Sequence, residues 1–382
     1  MNRLKENCCI ASLSKYQFIF TSKFNLSFGH PRQDICSFCA EQLTKIQIEN
    51  DEDMKIELHL ELKVHQRRAK RFFELLKEES PDSVSVSFDM MQTQPLPKLS
   101  VTEVFYSRQV WLYNLTFVIA APTQSPENCY LYTWTECESG RGPNEMCSSL
   151  VDFLENLESR LMLKESPPTT LNLFSDSCSG QNKNKFTMIT LLYYINHKTT
   201  IFKQINHIFP VRGHSYMPPD RVFGRIEQVL RKKESIISPS QYYEIFKRFC
   251  TVKVYGQDFS IYDYKSVVKN LVKTKFDFKS TEQKIYTYTK GEKTVGVSKT
   301  YGGIPTKIEV VKRNSNLGTL FNNLVQLPKT NHVKLPKQND VKKLLKYFNI
   351  PEDSTQFYED IFKNSEDVGN EDLENVYDED ND

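Results

Sequence analysis

Glycine is scarce, thirteen in 382 residues, and no apolar run reaches the ~18–20 residues that a membrane-spanning helix needs. Collagen-like and helical membrane architectures are excluded on those grounds. There is no Gly-rich phosphate loop of the Walker or dinucleotide type. Serine, histidine and aspartate are present without a nucleophile-elbow motif. No internal repeat occurs, which excludes solenoids and coiled-coil rods. The opening Met1-Asn-Arg-Leu-Lys-Glu-Asn-Cys8-Cys9 lacks the apolar centre of an export signal. The nine cysteines are therefore expected as reduced thiols in a nuclear or cytoplasmic protein, not as a disulfide scaffold.

What is present is 39% hydrophobic and 26% charged, the composition of a chain that packs a core. Its net charge of +2 hides an asymmetry: Glu366 to Asp382 holds nine acidic residues and no basic one, so the preceding residues carry +11. A basic body suits a polyanion, and DNA is the expected partner. The acidic tail either competes for the binding face or only solvates the chain.

The spacing divides the chain into four parts. Residues 1–80 form an N-terminal segment with Cys36-Ser-Phe-Cys39 and a charged stretch that ends at Ser80-Pro81. Ile56, Leu58, Leu60, Leu62 and Val64 alternate as a strand would, but the Glu, Leu and Lys around them favour a helix, which is the reading adopted. Residues 81–236 read as strands at 83–91, 108–121 and 128–135, and a helix from Gly142-Pro143 with one apolar face. A strand at 169–175, a helix through Asn196, a strand at 200–210 and a helix from Pro218-Pro219 follow. Residues 237–350 form a small basic, aromatic-rich α+β extension, and 351–382 an acidic, largely disordered tail. Three strands, a helix, then strand–helix–strand–helix predicts an α/β fold with a mixed five-stranded sheet, the ribonuclease H-like order.

Acidic residues fall where loops leave that sheet. Asp89 ends the first strand, Asp176 ends the fourth, and Asp220 opens the last helix with Glu227 seven residues on, on the same face. Capping accounts for any one of these singly. Together, such carboxylates repel unless cations sit between them, and all-oxygen ligands suit Mg²⁺ or Mn²⁺. Two such ions ~3.5–4 Å apart stabilise the attacking and leaving oxygens of a phosphoryl transfer. Gln181, Asn182, Lys183, Asn184 and His214 supply amides, a cation and an imidazole suited to phosphate, or else a helix-opening turn and a structural loop. Arg67, Arg68, Lys70 and Arg71 could grip a DNA backbone, and Tyr262, Tyr264, Tyr286 and Tyr288 could stack bases or pair across strands. Cys36 and Cys39 have half a zinc site's spacing, with His65 as a third ligand, or are packed thiols.

Longer stretches carry a resemblance. Asp176-Ser-Cys-Ser-Gly-Gln181-Asn182-Lys183-Asn184 and Gly213-His214-Ser215-Tyr-Met-Pro-Pro-Asp220-Arg-Val-Phe-Gly224-Arg-Ile-Glu227 resemble a transposon-derived eukaryotic family abundant in arthropods, a domain of unknown function (DUF7869). Phe88-Asp89-Met-Met-Gln92, Gly140-Arg141-Gly142-Pro-Asn144-Glu145 and His30-Pro-Arg-Gln-Asp34-Ile-Cys36-Ser-Phe-Cys39 match as well, over roughly residues 24–235. The resemblance implies a transposase-type ribonuclease H-like core with Asp89, Asp176 and Asp220 as its acidic triad, Glu227 being the competing third member. The implied activity is Mg²⁺- or Mn²⁺-dependent cleavage or joining of DNA. The alternative is a domesticated, non-catalytic DNA-binding or protein-interaction protein that keeps the fold, and a homo-oligomer is left open.

Deleting residues 366–382 separates the two readings of the tail. Tighter, still salt-sensitive DNA binding marks competition; unchanged affinity with lower solubility marks solvation.

Overall fold

The structure is a computed structural model that describes residues 12–24, 35–123, 125–313, 315–347, 350 and 352–363. It comprises two compact units, Met1–His59 and Leu60–Asp382. Cys8, Cys9, His30, Asp34 and the acidic residues from Glu366 onward lie outside the described residues.

The first unit carries α1 (Leu13–Lys23), α2 (Ser37–Ile48) and the opening of α3 (Glu52–Lys77). The side chain of Ser12 caps α1, accepting the Lys15 N–H at 3.3 Å. Cys39, Gln42 and Ile46 are the buried residues of α2, spaced at three and four as one helix face requires. The stretch 56–64 is helical, so residue type outweighs the alternation.

The second unit is one mixed sheet with helices on both faces. Its strands are β1 (Ser83–Met90), β2 (Gln94–Leu96), β3 (Val110–Ile119), β4 (Cys129–Thr135), β5 (Thr170–Ser175) and β6 (Gln204–Ile208). β7 (Thr251–Val254), β8 (Ile285–Thr289), β9 (Thr294–Ser298) and β10 (Thr306–Glu309) complete it. The order is β10-β9-β8-β6-β5-β1-β3-β4-β7, with β2 paired to β3. β1 runs antiparallel to β3 and β3 to β4, while β1–β5 and β5–β6 are parallel. Among the described residues the sheet thus has ten strands where five were expected. The others are short, and they close the edges that β4 and β6 would expose: β7 adds in parallel to β4, and β8 antiparallel to β6. Strands from beyond residue 237 belong to this same sheet.

The helices are α4 (Pro143–Leu161), α5 (Lys185–Tyr193), α6 (Pro218–Leu230), α7 (Pro239–Phe246), α8 (Tyr264–Leu271), α9 (Leu317–Phe321), α10 (Leu335–Leu345) and α11 (Glu352–Lys363). Alternation along the strands divides them between two faces. Val86 and Phe88 of β1 and Leu171 and Leu173 of β5 pack with Met146, Leu150, Phe153, Leu154, Leu157 and Leu161, the apolar face expected of α4. On the other face Phe174 meets Ala69 and Phe72 of α3 and Met217, while α6 and α7 pack through Val222, Ile226 and Tyr242. Tyr264, Tyr286 and Tyr288 are buried, the last two opposite His207 and Ile205 across the strand pair. They pack the core and are closed to nucleic-acid bases. No helix among the described residues is long and apolar enough to cross a membrane.

Phe117 stacks on Phe153 with centroids 4.3 Å apart and planes 8° from parallel. Both rings are fully buried. Phe117→Ala removes the ring that joins sheet to α4 and is expected to cost about 3–5 kcal/mol, read as a lower urea midpoint.

Candidate active site

Strand register brings the first two acids together. β1 and β5 are parallel neighbours with Phe88 opposite Ser175, so Asp89 and Asp176 follow at the same level. Both belong to the face of Ser87 and Phe174, the one α6 packs against. Asp220 lies in the first turn of α6, behind Pro218-Pro219, and its Oδ2 accepts the Met217 N–H at 2.7 Å. It therefore caps the helix, and its negative charge acts on Asp89. All three carboxylates are half-buried.

Their electrostatics show the crowding. Burial pushes Asp89 up from 3.8 to about 7, and the negative charges of Asp176 and Asp220 add to it. The Met90 N–H, donated to Asp89 Oδ1 at 2.8 Å, and the positive charge of Arg141 oppose that rise. Glu227, two turns further along α6, accepts the Gln94 Nε2–H at 3.2 Å.

The loop after β5 is built on Asp176. Its Oδ1 accepts the Cys178 N–H at 3.2 Å and the Asn182 Nδ2–H at 2.5 Å. The N–H groups of Gln181, Asn182 and Lys183 converge on the Cys178 carbonyl. Asn184 caps α5, its Oδ1 accepting the N–H of Phe186 and Thr187 at 3.0 Å each. Asn182 is fully buried, and its Oδ1 has no hydrogen-bond partner. Burial raises the Cys178 thiol, and Asp176 raises it further.

Lys183 departs from the phosphate contact expected of it. It is buried, and its Nζ donates to the Gln283 carbonyl at 2.6 Å and lies 4.7 Å from the centre of the Phe209 ring. Desolvation, with the charge of Lys284, lowers it to about 7. A side chain held inward this way is not offered to a DNA backbone. Gln181 and His214 stay half-buried at the surface, and Arg67, Arg68, Lys70 and Arg71 are exposed on α3.

Two residues were missed in the sequence. Arg141 lies in the short loop before α4, which is clamped at both ends. Trp134 Nε1 donates to the Gly140 carbonyl at 2.7 Å, and the buried Glu145 accepts from Ser139 Oγ at 2.6 Å and Gly142 N–H at 2.8 Å. The loop's place in the motifs was the available signal. His207 is buried on the α4 face against Phe88, its Nε2 2.8 Å from Ser175 Oγ, and burial, with the charge of Lys183, lowers it to about 3. Mid-strand, it read as sheet.

In the first unit Cys36 precedes α2 and Cys39 lies one turn on; burial raises the Cys39 thiol, and Cys36 adds to it. In the second unit the His65 and His214 rings lie 5.0 Å apart between centroids.

A raised carboxylate ties stability to pH. The folded chain holds the Asp89 proton more tightly than the unfolded chain, so that contribution is complete below 3.8 and lost as pH rises through about 7. In the metal-free protein at about pH 8, Asp89→Asn is expected to raise stability by about 1–2 kcal/mol, an advantage that fades by about pH 4. Urea denaturation at the two pH values checks it, and an equal effect at both would refute it.

No curated protein matches the chain. Two solved structures are similar at 10% identity, a crystal structure of NurA and one of NurA with manganese. The matches cover 78% and 82% of this chain, with TM-scores of 0.16 and 0.14. The chain spans 63% and 65% of those chains' lengths, and likeness at this level supports no statement about fold or activity. A family model matches residues 112–302, half of the chain, including Arg141, Asp176, His214, Asp220 and Glu227. The chain belongs to that family, described as Domain of unknown function (DUF7869).

Proposed function

We propose that the protein is a transposase-derived, metal-dependent enzyme that cuts or joins DNA phosphodiesters on a ribonuclease H-like core. The observation that supports this reading is the environment of Asp89, raised to about 7 by burial first and then by the negative charges of Asp176, its neighbour across the β1–β5 pair, and Asp220 at the start of α6. The strand order β6-β5-β1-β3-β4, antiparallel between β1, β3 and β4 and parallel between β1, β5 and β6, supports the fold assignment.

The donor set fits Mg²⁺ or Mn²⁺: three carboxylates whose repulsion a cation relieves, and the buried Asn182 Oδ1 beside them with no partner. Asp89, Asp176 and Asp220 would hold two such ions, with Glu227 as the competing third acid. Bound there, the ions would activate a water or a 3′-hydroxyl and offset charge on the leaving oxygen. The protein's own groups do the positioning. Asn182 holds Asp176, Glu145 holds the Arg141 loop, and the Arg141 cation faces the acids where a phosphate would enter. Gln181 and the exposed Arg67, Arg68, Lys70 and Arg71 are suited to neighbouring phosphates. Nuclear localisation, or cytoplasmic, follows from the DNA reading.

Nicking of supercoiled DNA in Mg²⁺ or Mn²⁺ tests the proposal, with metal binding followed by calorimetry. Asp176→Ala and Asp89→Ala are each expected to lower nicking at least about 100-fold and to weaken metal binding. Salt-sensitive DNA binding without cleavage, unchanged in Asp176→Ala, would favour the domesticated, non-catalytic alternative.

A zinc ion on Cys36, Cys39 and His65 is proposed separately, from ligand type and the Cys-x-x-Cys spacing. Elemental analysis of the purified chain, with Cys36→Ser expected to lower its zinc content, tests it.

A further inference from the structure

In the sequence His214 is a loop histidine six residues before Asp220, suited to phosphate or water. Its actual neighbour is His65, 149 positions earlier on α3, with ring planes tilted by 56°. One nitrogen of each ring lies within 4.8 Å of the other's. Two imidazoles on a tetrahedral zinc ion have nitrogens ~3.3 Å apart, given bonds of ~2.0–2.1 Å, so a small ring rotation closes the pair onto one ion.

Simple ring packing is the competing explanation, and the surroundings argue against it. The Phe117–Phe153 stack, by contrast, is a dry core contact with both rings fully buried. The two histidines are half-buried, and the charges that act most on His65 besides His214 are the cations Lys284 and Arg68. Imidazole nitrogens suit zinc, whereas carboxylates suit Mg²⁺ or Mn²⁺, so this site is chemically distinct from the three carboxylates.

We propose that His65 and His214 are the two imidazole ligands of one zinc ion. The assignment rests on the zinc reading of His65 and adds His214 to it as a second imidazole. It also gives the Gly213-His214-Ser215 loop a structural task. The metal anchors the chain just before α6, three residues upstream of the Met217 N–H that Asp220 caps.

The test uses the full chain, with zinc measured by elemental analysis and the ligand field read from Co²⁺ substituted for it. The native chain is expected to carry about one zinc, and tetrahedral Co²⁺ to give intense visible bands. His214→Ala and His65→Ala should each weaken zinc binding about 10- to 100-fold and reduce those bands. The exposed His59→Ala should change neither. His214→Cys, which returns a zinc ligand, should restore the ion and add thiolate character to the Co²⁺ spectrum, separating ligation from misfolding. Native protein without zinc would overturn the zinc proposal and this inference together. Zinc present in the native chain and retained in His214→Ala, with an unchanged Co²⁺ spectrum, would overturn only the role of His214. Retained zinc with weakened DNA binding would overturn it in favour of a phosphate contact.

Discussion

The parallel pairing of β1 with β5 is the constraint on which the rest depends. Phe88 opposite Ser175 sets the level of everything that follows on both strands. A slip of one residue would turn Asp89 or Asp176 toward the α4 face, among Leu150, Phe153 and Leu154. The apolar residues prevent it: Val86, Phe88, Leu171 and Leu173 must stay on that face for the core to close. Packing on one side of the sheet thereby fixes the acids on the other.

Beneath the acids lies a second layer of polar groups, all buried. Ser175 meets His207, Asn182 holds Asp176, and Lys183 meets the Gln283 carbonyl. Burial keeps His207 neutral and brings Lys183 near neutrality, so the layer adds little positive charge under the carboxylates. Such groups are costly to enclose without partners, and here Ser175 Oγ, the His207 Nε2, the Asn182 Nδ2 and the Lys183 Nζ each have one. The acids above gain a fixed floor and keep their mutual repulsion.

Much of the fold was legible because its elements carry strong local signals. The alternation at 83–90, the apolar face from Met146 to Leu161 and the Pro218-Pro219 start each named an element within a few residues of its bounds. The short strands were harder: β2 has three residues and β7 four, too few for a period to emerge. Asp89, Asp176 and Asp220 were readable as residues at the ends of elements. Arg141 and His207 were not, since one depends on how a loop folds back and the other on which strands are neighbours. Lys183 was misread because lysine beside a phosphate-suited turn is ordinarily solvated, and only the packing of β8 against β6 shows the carbonyl that draws it inward.

That carbonyl belongs to Gln283, a hundred residues beyond Lys183 and just ahead of β8. A transcript spliced or frameshifted before this point would encode every acid of the site and most of the family match. Its product would nonetheless leave a buried amine without its acceptor and β6 as a bare edge, next to the loop that carries Asp176. The site therefore extends in sequence well past its last carboxylate, and a gene fragment that keeps all the acids need not keep the fold that aims them.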